Sequence, residues 1–233
     1  MAARPAVTAV LFDLDGTLLD TAPDLVFALN SALAEAGLPA CPEDTAKPFI
    51  SGGARAMVEY WFESTRNLRP DPSDPKAERE RLVDRMLDLY EAHVADRTRF
   101  FDGVEAVLDE LDSRDLPWGI VTNKSRRFTE PLVDALQLSG RTGCIISGDT
   151  TAEKKPHPLP LLEATRRLGQ RAEECVYVGD AAKDMVAGRR AGMATLTALY
   201  GYIGVDDEPL AWGGDGVLAR PQDLLSWLDG GRS

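Results

Sequence analysis

What the 233-residue sequence lacks excludes several kinds of protein. It has three widely spaced cysteines, Cys41, Cys144 and Cys175, and no CxxC motif or Cys/His cluster. A zinc site and a disulfide framework are therefore not expected. No apolar run approaches the length of a membrane span, and the N-terminus lacks the hydrophobic region of a signal peptide. We therefore expect a cytoplasmic protein without a membrane partner.

The chain also lacks a basic segment. Its net charge is -12, and no run of lysine and arginine is available to bind a nucleic-acid backbone. The same charge repels anionic substrates at long range, so a site for phosphate esters would need its own local cations. Neither GxGxxG nor GxxxxGK[ST] follows a strand-like segment, which argues against dinucleotide-binding and P-loop folds.

Strand and helix patterns alternate over most of the chain. Short apolar runs predict strands at residues 7–12, 118–121, 144–147, 175–178 and 194–198, with another near residue 217. Helices are predicted at residues 104–114, 128–136, 159–168, 183–191 and 223–228. Repeated βα units of this length predict an α/β fold with a doubly wound, Rossmann-like parallel sheet.

Residues 18–95 interrupt this alternation. Their patterns predict helices at residues 23–36, 54–65 and 76–95, a Pro/Asp-rich loop at residues 67–75, and no convincing strand. The sequence therefore predicts a core formed by residues 1–17 and 96–233, with residues 18–95 inserted as an all-helical domain.

Two acidic residues follow the first predicted strand directly. In an extended chain alternate residues face the same way, so Asp13 and Asp15 would project together from the strand's carboxyl end. Open α/β sheets bind their ligands at that end. Two carboxylates this close repel each other unless a cation is near, and magnesium suits an oxygen-rich cluster. The alternative is a strand that ends in an ordinary Asp-Gly turn.

Residues 7–20 resemble the first motif of the haloacid dehalogenase superfamily, specifically its phosphatase branch. Three later segments resemble the other motifs of that family, in the family's order: residues 119–123, Lys154-Lys155-Pro156 and residues 174–184. Taken singly, each segment has an ordinary structural explanation as turn-forming residues, a surface lysine or the acidic first turn of a helix. All four in order favour membership of the family.

The resemblance implies a phosphomonoester hydrolase that forms an aspartyl-phosphate intermediate. In that family the residue at the position of Asp13 is the nucleophile, and the residue at Asp15 is the general acid and base. Thr122, Asn123 and Lys155 would bind the phosphate, and the Lys155 ammonium would also offset the charge of the nucleophile.

The resemblance also implies a magnesium cofactor. Asp13 would contribute to the metal site, Asp180 would be a direct ligand, and Asp184 would be an indirect ligand or orient a metal-bound water. Asp15 would reach the metal through its backbone carbonyl, which leaves its carboxyl group available for proton transfer.

In this family an insertion after the first motif is a helical cap, and the resemblance covers nearly the whole chain, cap included. Gly52 and Gly53 would allow the backbone to approach a ligand, and Arg55 could meet an anionic or hydroxyl group. The alternative for Arg55 is an ordinary exposed arginine. Three stretches resemble the branch of the family that acts on N-acetylmuramic acid 6-phosphate: residues 51–58, residues 121–124 with 127–128 and 130–131, and residues 200–203 with 212–213. That sugar phosphate is the expected substrate, narrowly ahead of 2-phosphoglycolate.

Other proteins with a similar parallel sheet are alternatives to this phosphatase. A dehalogenase would lack the second acidic residue, which this chain has at Asp15. A receiver-like signalling domain would be a compact single domain without the large insertion. A phosphomutase of the same family keeps the same motifs and stays an alternative. Both a monomer and a homodimer are compatible with the sequence.

Overall fold

The computed structural model describes residues 6–66, 74–204 and 206–230. The chain divides into two units, one formed by Met1–Asp20 with Arg99–Ser233 and the other by Thr21–Thr98. The boundaries predicted from the sequence lay at residues 17/18 and 95/96. Most of the loop predicted at residues 67–75 lies outside the described residues.

The strands include six that form one parallel sheet. In chain order they are β1 (Ala9–Phe12), β2 (Leu19–Asp20), β3 (Arg99–Phe100), β4 (Trp118–Val121), β5 (Cys144–Ile146), β6 (Cys175–Gly179), β7 (Ala194–Ala198) and β8 (Gly216–Leu218). The sheet has the order β5-β4-β1-β6-β7-β8, with every neighbouring pair parallel. The predicted doubly wound α/β fold is therefore confirmed.

The helices lie in the segments between these strands and within the insertion. They are α1 (Ala22–Glu35), α2 (Glu43–Ala46), α3 (Gly53–Ser64), α4 (Pro75–Ala92), α5 (Val104–Ser113), α6 (Arg126–Ala135), α7 (Leu159–Leu168), α8 (Ala182–Ala191) and α9 (Asp223–Gly230). Helices α7 and α8 each end at a glycine in the left-handed region, Gly169 at φ 68° and Gly192 at φ 81°. Glycine is favoured there because it has no Cβ to clash with the backbone.

The central strands are apolar because helices cover both faces of a parallel sheet. Every residue of β1, β4 and β6 is buried. Tyr177 of β6 lies in the core with Leu11 of β1 and Ile146 of β5. Packing therefore fixes the positions at which these strands end, and with them the positions of the polar residues that follow.

The helical unit has its own internal contacts. Arg85 of α4 forms two hydrogen bonds with Glu35 of α1, at 2.6 and 2.7 Å. The buried carboxylate of Asp24 accepts hydrogen bonds from the backbone N–H groups of Arg97 and Thr98, and from the Thr98 hydroxyl. These bonds hold the last residues of the unit against its first helix. Among the described residues, no helix is both long enough and apolar enough to cross a membrane.

One feature at the edge of the insertion corrects the sequence prediction. No strand was predicted in residues 18–95, but β2 pairs antiparallel with β3, with Leu19 opposite Phe100 and Asp20 opposite Arg99. Two residues are too few to show the alternation that marks a strand in a sequence. The pairing also joins positions far apart in the chain, so no local pattern indicates it.

Candidate active site

The polar residues of the first, second and fourth motifs lie at the carboxyl edge of the sheet. Asp13 follows β1, Thr122 follows β4, and Asp180 follows β6. Strand β1 pairs with β4 on one side and with β6 on the other. Because the three strands are parallel neighbours, the residues that follow them meet at the same edge.

Lys155 places a buried positive charge among these residues. Its Nζ atom lies 2.9 Å from Asp13 Oδ1 and 2.9 Å from Asp184 Oδ1, and its side chain is 0% exposed. The ammonium also donates to the Tyr177 hydroxyl at 2.7 Å and to the Val121 carbonyl at 2.9 Å. A buried lysine keeps its charge only when such partners replace water. Lys155 therefore places a paired positive charge at this edge of the sheet.

Three buried carboxylates form a candidate metal site. Asp13, Asp180 and Asp184 each offer an oxygen, and these oxygens lie within 4.8 Å of one another. Asp180 is oriented by the Tyr202 N–H, which donates to Oδ2 at 2.9 Å, and by the Thr17 hydroxyl, which donates to Oδ1 at 3.3 Å. A set of carboxylate oxygens fits a hard divalent cation such as magnesium.

The electrostatics of the cluster also favour a cation. Burial raises the pKa of Asp13, and the positive charge of Lys155 opposes that shift. Burial also raises the pKa of Asp180 well above its usual range, and the charges of Asp13 and Asp184 add to that shift. Burial alone would lower the pKa of Lys155, but the two carboxylates in contact with it raise the pKa instead. A divalent ion would offset the negative charge that Lys155 leaves uncompensated.

The carboxyl group of Asp15 lies outside this three-carboxylate cluster. Its Oδ1 accepts a hydrogen bond from Lys124 Nζ at 2.8 Å. Gly16, the next residue, has φ 82°, and a Cβ built on it would lie 2.0 Å from an Asp180 oxygen. The turn after β1 therefore requires glycine both for its backbone conformation and for its close approach to Asp180.

The two residues predicted to bind phosphate after β4 have different surroundings. Thr122 is buried, and its Oγ1 accepts a hydrogen bond from the Lys124 N–H at 3.1 Å. The side chain of Asn123 contacts the backbone of Lys155: its Nδ2 donates to the carbonyl at 2.9 Å, and its Oδ1 accepts from the N–H at 3.0 Å. Asn123 thus fixes the segment that carries the buried lysine, and phosphate binding by Asn123 stays a prediction.

The residues predicted to contact the substrate from the insertion lie near the start of α3. Gly52 ends a short 3-10 turn, and Gly53 has φ 79° with no atom within 4 Å of a Cβ built on it. Arg55 is the third residue of α3 and is exposed. Their contact with a substrate stays a prediction.

Sequence reasoning assigned no role to three residues that contact the site. Tyr177 donates its hydroxyl hydrogen to the Val121 carbonyl at 2.9 Å and accepts a hydrogen bond from Lys155. Tyr202 binds Asp180 through its backbone, and Lys124 binds Asp15. A tyrosine inside the apolar run of β6 was the one visible signal for Tyr177, since a buried hydroxyl needs a partner.

Comparison with known proteins places this arrangement in a family. The family model described as haloacid dehalogenase-like hydrolase matches residues 10–198. The chain belongs to this family. Haloacid dehalogenase-like enzymes use a divalent metal, and the carboxylate cluster of this member could hold one.

Curated relatives match this haloacid dehalogenase-like hydrolase along almost its whole length. A phosphoglycolate phosphatase from Xanthomonas campestris is 44% identical over 93% of this chain and 94% of the relative. An N-acetylmuramic acid 6-phosphate phosphatase from Pseudomonas aeruginosa is 39% identical over 97% of this chain and 96% of the relative. The family and the enzyme class predicted from the sequence, a phosphatase, are thereby confirmed.

Solved structures agree on the fold. The crystal structure of a predicted phosphoglycolate phosphatase from Haemophilus somnus superposes with a TM-score of 0.84 at 24% identity, covering 95% of this chain and 97% of the other. A hydrolase from Pseudomonas syringae gives a TM-score of 0.71 at 28% identity, covering 96% and 98%. The fold of this chain is thus shared with these solved structures.

Proposed function

We propose that this enzyme is a magnesium-dependent phosphomonoesterase that uses Asp13 as its nucleophile. The observation that carries the proposal is the contact between the Lys155 ammonium and Asp13, beside two further carboxylates at the carboxyl edge of the sheet. Asp13 Oδ1 accepts from Lys155 and, at 2.7 Å, from the Leu14 N–H. Two donors on Oδ1 leave Oδ2 as the atom that attacks phosphorus.

Proton transfer is assigned to Asp15. It protonates the ester oxygen as the P–O bond breaks, and then accepts a proton from the water that hydrolyses the aspartyl-phosphate. A positioned acid and base of this kind typically contributes about 10² to 10⁴ in rate. Lys155, the Thr122 hydroxyl and the turn amides after β4 stabilise the charge on the transferred group. Magnesium, when bound by Asp13, Asp180 and Asp184, would further neutralise charge at the phosphoryl group.

The proposed metal gives a direct test. Phosphate release should require magnesium and stop when a chelator is added, because the carboxylate cluster otherwise repels the phosphate dianion. Asp180→Ala should raise the magnesium concentration needed for half-maximal activity by about tenfold or more, since one ligand and its charge are lost. Both effects are measured by titrating magnesium in a phosphate-release assay. Full activity of the wild-type enzyme after exhaustive metal removal would contradict the proposed metal dependence.

For the substrate, we propose N-acetylmuramic acid 6-phosphate, narrowly ahead of 2-phosphoglycolate. The first choice depends on the sequence similarity in three stretches, residues 51–58 among them, and the name of the relative from Pseudomonas aeruginosa includes that substrate. The second is favoured by the higher identity, 44%, of the relative named phosphoglycolate phosphatase. Comparing kcat/KM for the two esters decides between them. Release of inorganic phosphate, as opposed to transfer within the sugar, separates a phosphatase from a phosphomutase.

Discrimination between esters is proposed to come from the helical insertion, because the four core motifs would contact only the phosphoryl group, the metal and the ester oxygen. Arg55→Ala should reduce kcat/KM for the preferred ester by about 10- to 100-fold, the effect of losing one charge-assisted hydrogen bond of about 1.5–3 kcal/mol. Activity on p-nitrophenyl phosphate, which lacks the polar groups, should change much less.

A matched control for Arg55 is Arg81→Ala, which removes another exposed arginine of the same unit. This variant should behave like the wild-type enzyme on both esters. Equal losses for Arg55→Ala on the preferred ester and on p-nitrophenyl phosphate would show that Arg55 supports folding or catalysis in general.

A cytoplasmic location and a monomeric or homodimeric state stay predictions.

A further inference from the structure

Lys124 lies on a backbone that is fixed on several sides. Its N–H donates to Thr122 Oγ1 at 3.1 Å, and its carbonyl accepts from the Gly148 N–H at 2.7 Å and from the Thr129 hydroxyl at 3.2 Å. A Cβ built on Gly148 would lie 2.1 Å from the carbonyl oxygen of Asn123. This close approach fixes the turn after β4. The base of the Lys124 side chain is therefore held in one place relative to the sheet.

The other end of the Lys124 side chain meets Asp15. Its Nζ lies 2.8 Å from Asp15 Oδ1, and the side chains are only 7% and 16% exposed. The backbone around Asp15 is also fixed: Asp15 forms a β-bridge with Leu19, and the Gly16 N–H donates to the Leu19 carbonyl at 3.0 Å. Ion pairs sheltered from water and salt are screened less than exposed ones. This pair therefore joins two fixed backbone segments that are 109 positions apart.

We propose that Lys124 is a positioning residue for the acid and base of the reaction. By holding Oδ1, its ammonium restricts rotation of the Asp15 carboxyl group and keeps that group directed at the ester oxygen. The inference rests on the proposed function, in which Asp15 transfers the proton. Orientation of this kind matters because a displacement of about 1 Å can cost about 100-fold in rate.

No bond to Lys124 forms or breaks in the proposed reaction. The Asp13 oxygen forms its bond to phosphorus, the P–O ester bond breaks, and its electron pair stays on the ester oxygen, which takes the proton from Asp15. Water then attacks phosphorus and gives a proton to Asp15, and the Asp13 carboxylate is released. Replacing Lys124 should therefore slow cleavage of esters whose leaving oxygen must be protonated. It should have little effect on cleavage when the leaving group departs as an anion.

Two aryl esters of nearly the same shape test this. p-Nitrophenyl phosphate releases a weakly basic phenolate that needs little protonation, whereas phenyl phosphate releases a more basic one. Lys124→Met removes the charge and keeps an unbranched side chain. We expect kcat/KM to fall by about 10- to 100-fold for phenyl phosphate, and by about threefold or less for p-nitrophenyl phosphate. The ratio kcat/KM is used because hydrolysis of the aspartyl-phosphate follows the first irreversible step and does not affect it.

Two variants complete the test. Lys154→Met removes an exposed lysine of the same unit and should leave both values unchanged. Lys124→Arg keeps a positive charge and should recover part of the loss on phenyl phosphate. Should Lys124→Met fail to fold by circular dichroism, Lys124→Gln is measured in the same way.

Each outcome has a defined meaning. A loss that grows with the basicity of the leaving group supports the role of Lys124. Equal losses of kcat/KM on the two esters, or no loss on either, contradict that role. The proposed function is still supported in that case, because the wild-type enzyme is active. A wild-type enzyme that releases no phosphate from either aryl ester, from N-acetylmuramic acid 6-phosphate or from 2-phosphoglycolate overturns both.

Discussion

Asp13→Asn is expected to reduce phosphatase turnover by at least about 10⁴-fold, because a neutral amide cannot attack phosphorus. The fold should survive this change. Burial already disfavours the charged form of Asp13, and Lys155 keeps Asp184 as a partner at 2.9 Å. Steady-state phosphate release and thermal unfolding of the same preparation measure the two effects.

The matched control for this change is Asp115→Asn. Asp115 is exposed and has φ 51°, a conformation that asparagine tolerates well, so activity and stability should both be unchanged. Substantial turnover by a verified Asp13→Asn protein would remove Asp13 from the role of nucleophile. Loss of activity together with loss of folding would instead assign the residue a structural role.

Lys155→Met should impair both activity and stability. The substitution leaves the buried carboxylates of Asp13 and Asp184 without the ammonium that contacts both of them. Removing one side of a buried ion pair typically costs about 3–5 kcal/mol in the free energy of unfolding. Turnover should fall by at least about 10³-fold, because the charge that offsets the nucleophile and the phosphoryl group is lost. Denaturant unfolding and phosphate release measure these losses.

Magnesium provides an internal check on this second prediction. If the carboxylates are destabilised by one another's charge, magnesium should raise the melting temperature of Lys155→Met by more than it raises that of the wild-type protein. Lys154→Met, one residue away and exposed, should show no loss of stability. A Lys155→Met protein as stable as the wild type without magnesium would argue against the electrostatic role given to Lys155.

The core fold was predictable from local patterns. The predicted bounds of β4, α7 and β7 agree with the structure, and the other predicted elements of the core differ by a few residues at their ends, whereas β2 and β3 were not predicted. Short apolar runs bounded by turn-forming residues are strong signals because strands buried on both faces tolerate little else. The enzyme class came from four motifs in the order of a known family, and periodicity alone would not have given it.

Contacts between distant residues could not be predicted in this way. Lys124 and Asp15 are 109 positions apart, and Tyr202 and Asp180 are separated by 22. Lys124 looks like an ordinary polar residue of a turn, and the contact of Tyr202 with Asp180 is made by a backbone N–H that every residue except proline carries. Such partners depend on which strands become neighbours, and that order follows from the tertiary packing of the whole sheet.

The β2–β3 pair has a consequence for how the chain tolerates its long insertion. Leu19 and Asp20 lie opposite Phe100 and Arg99, so the polypeptide leaves and re-enters the core at adjacent positions, as it would in a simple hairpin. For a flexible loop each doubling of length costs only about 0.6 kcal/mol in closure entropy. Thr21–Thr98 therefore connects β2 to β3 as the turn of a hairpin would, although it is much longer. Its length and content can therefore change over evolution, or be exchanged by design, without disturbing the register of β1 and its neighbours.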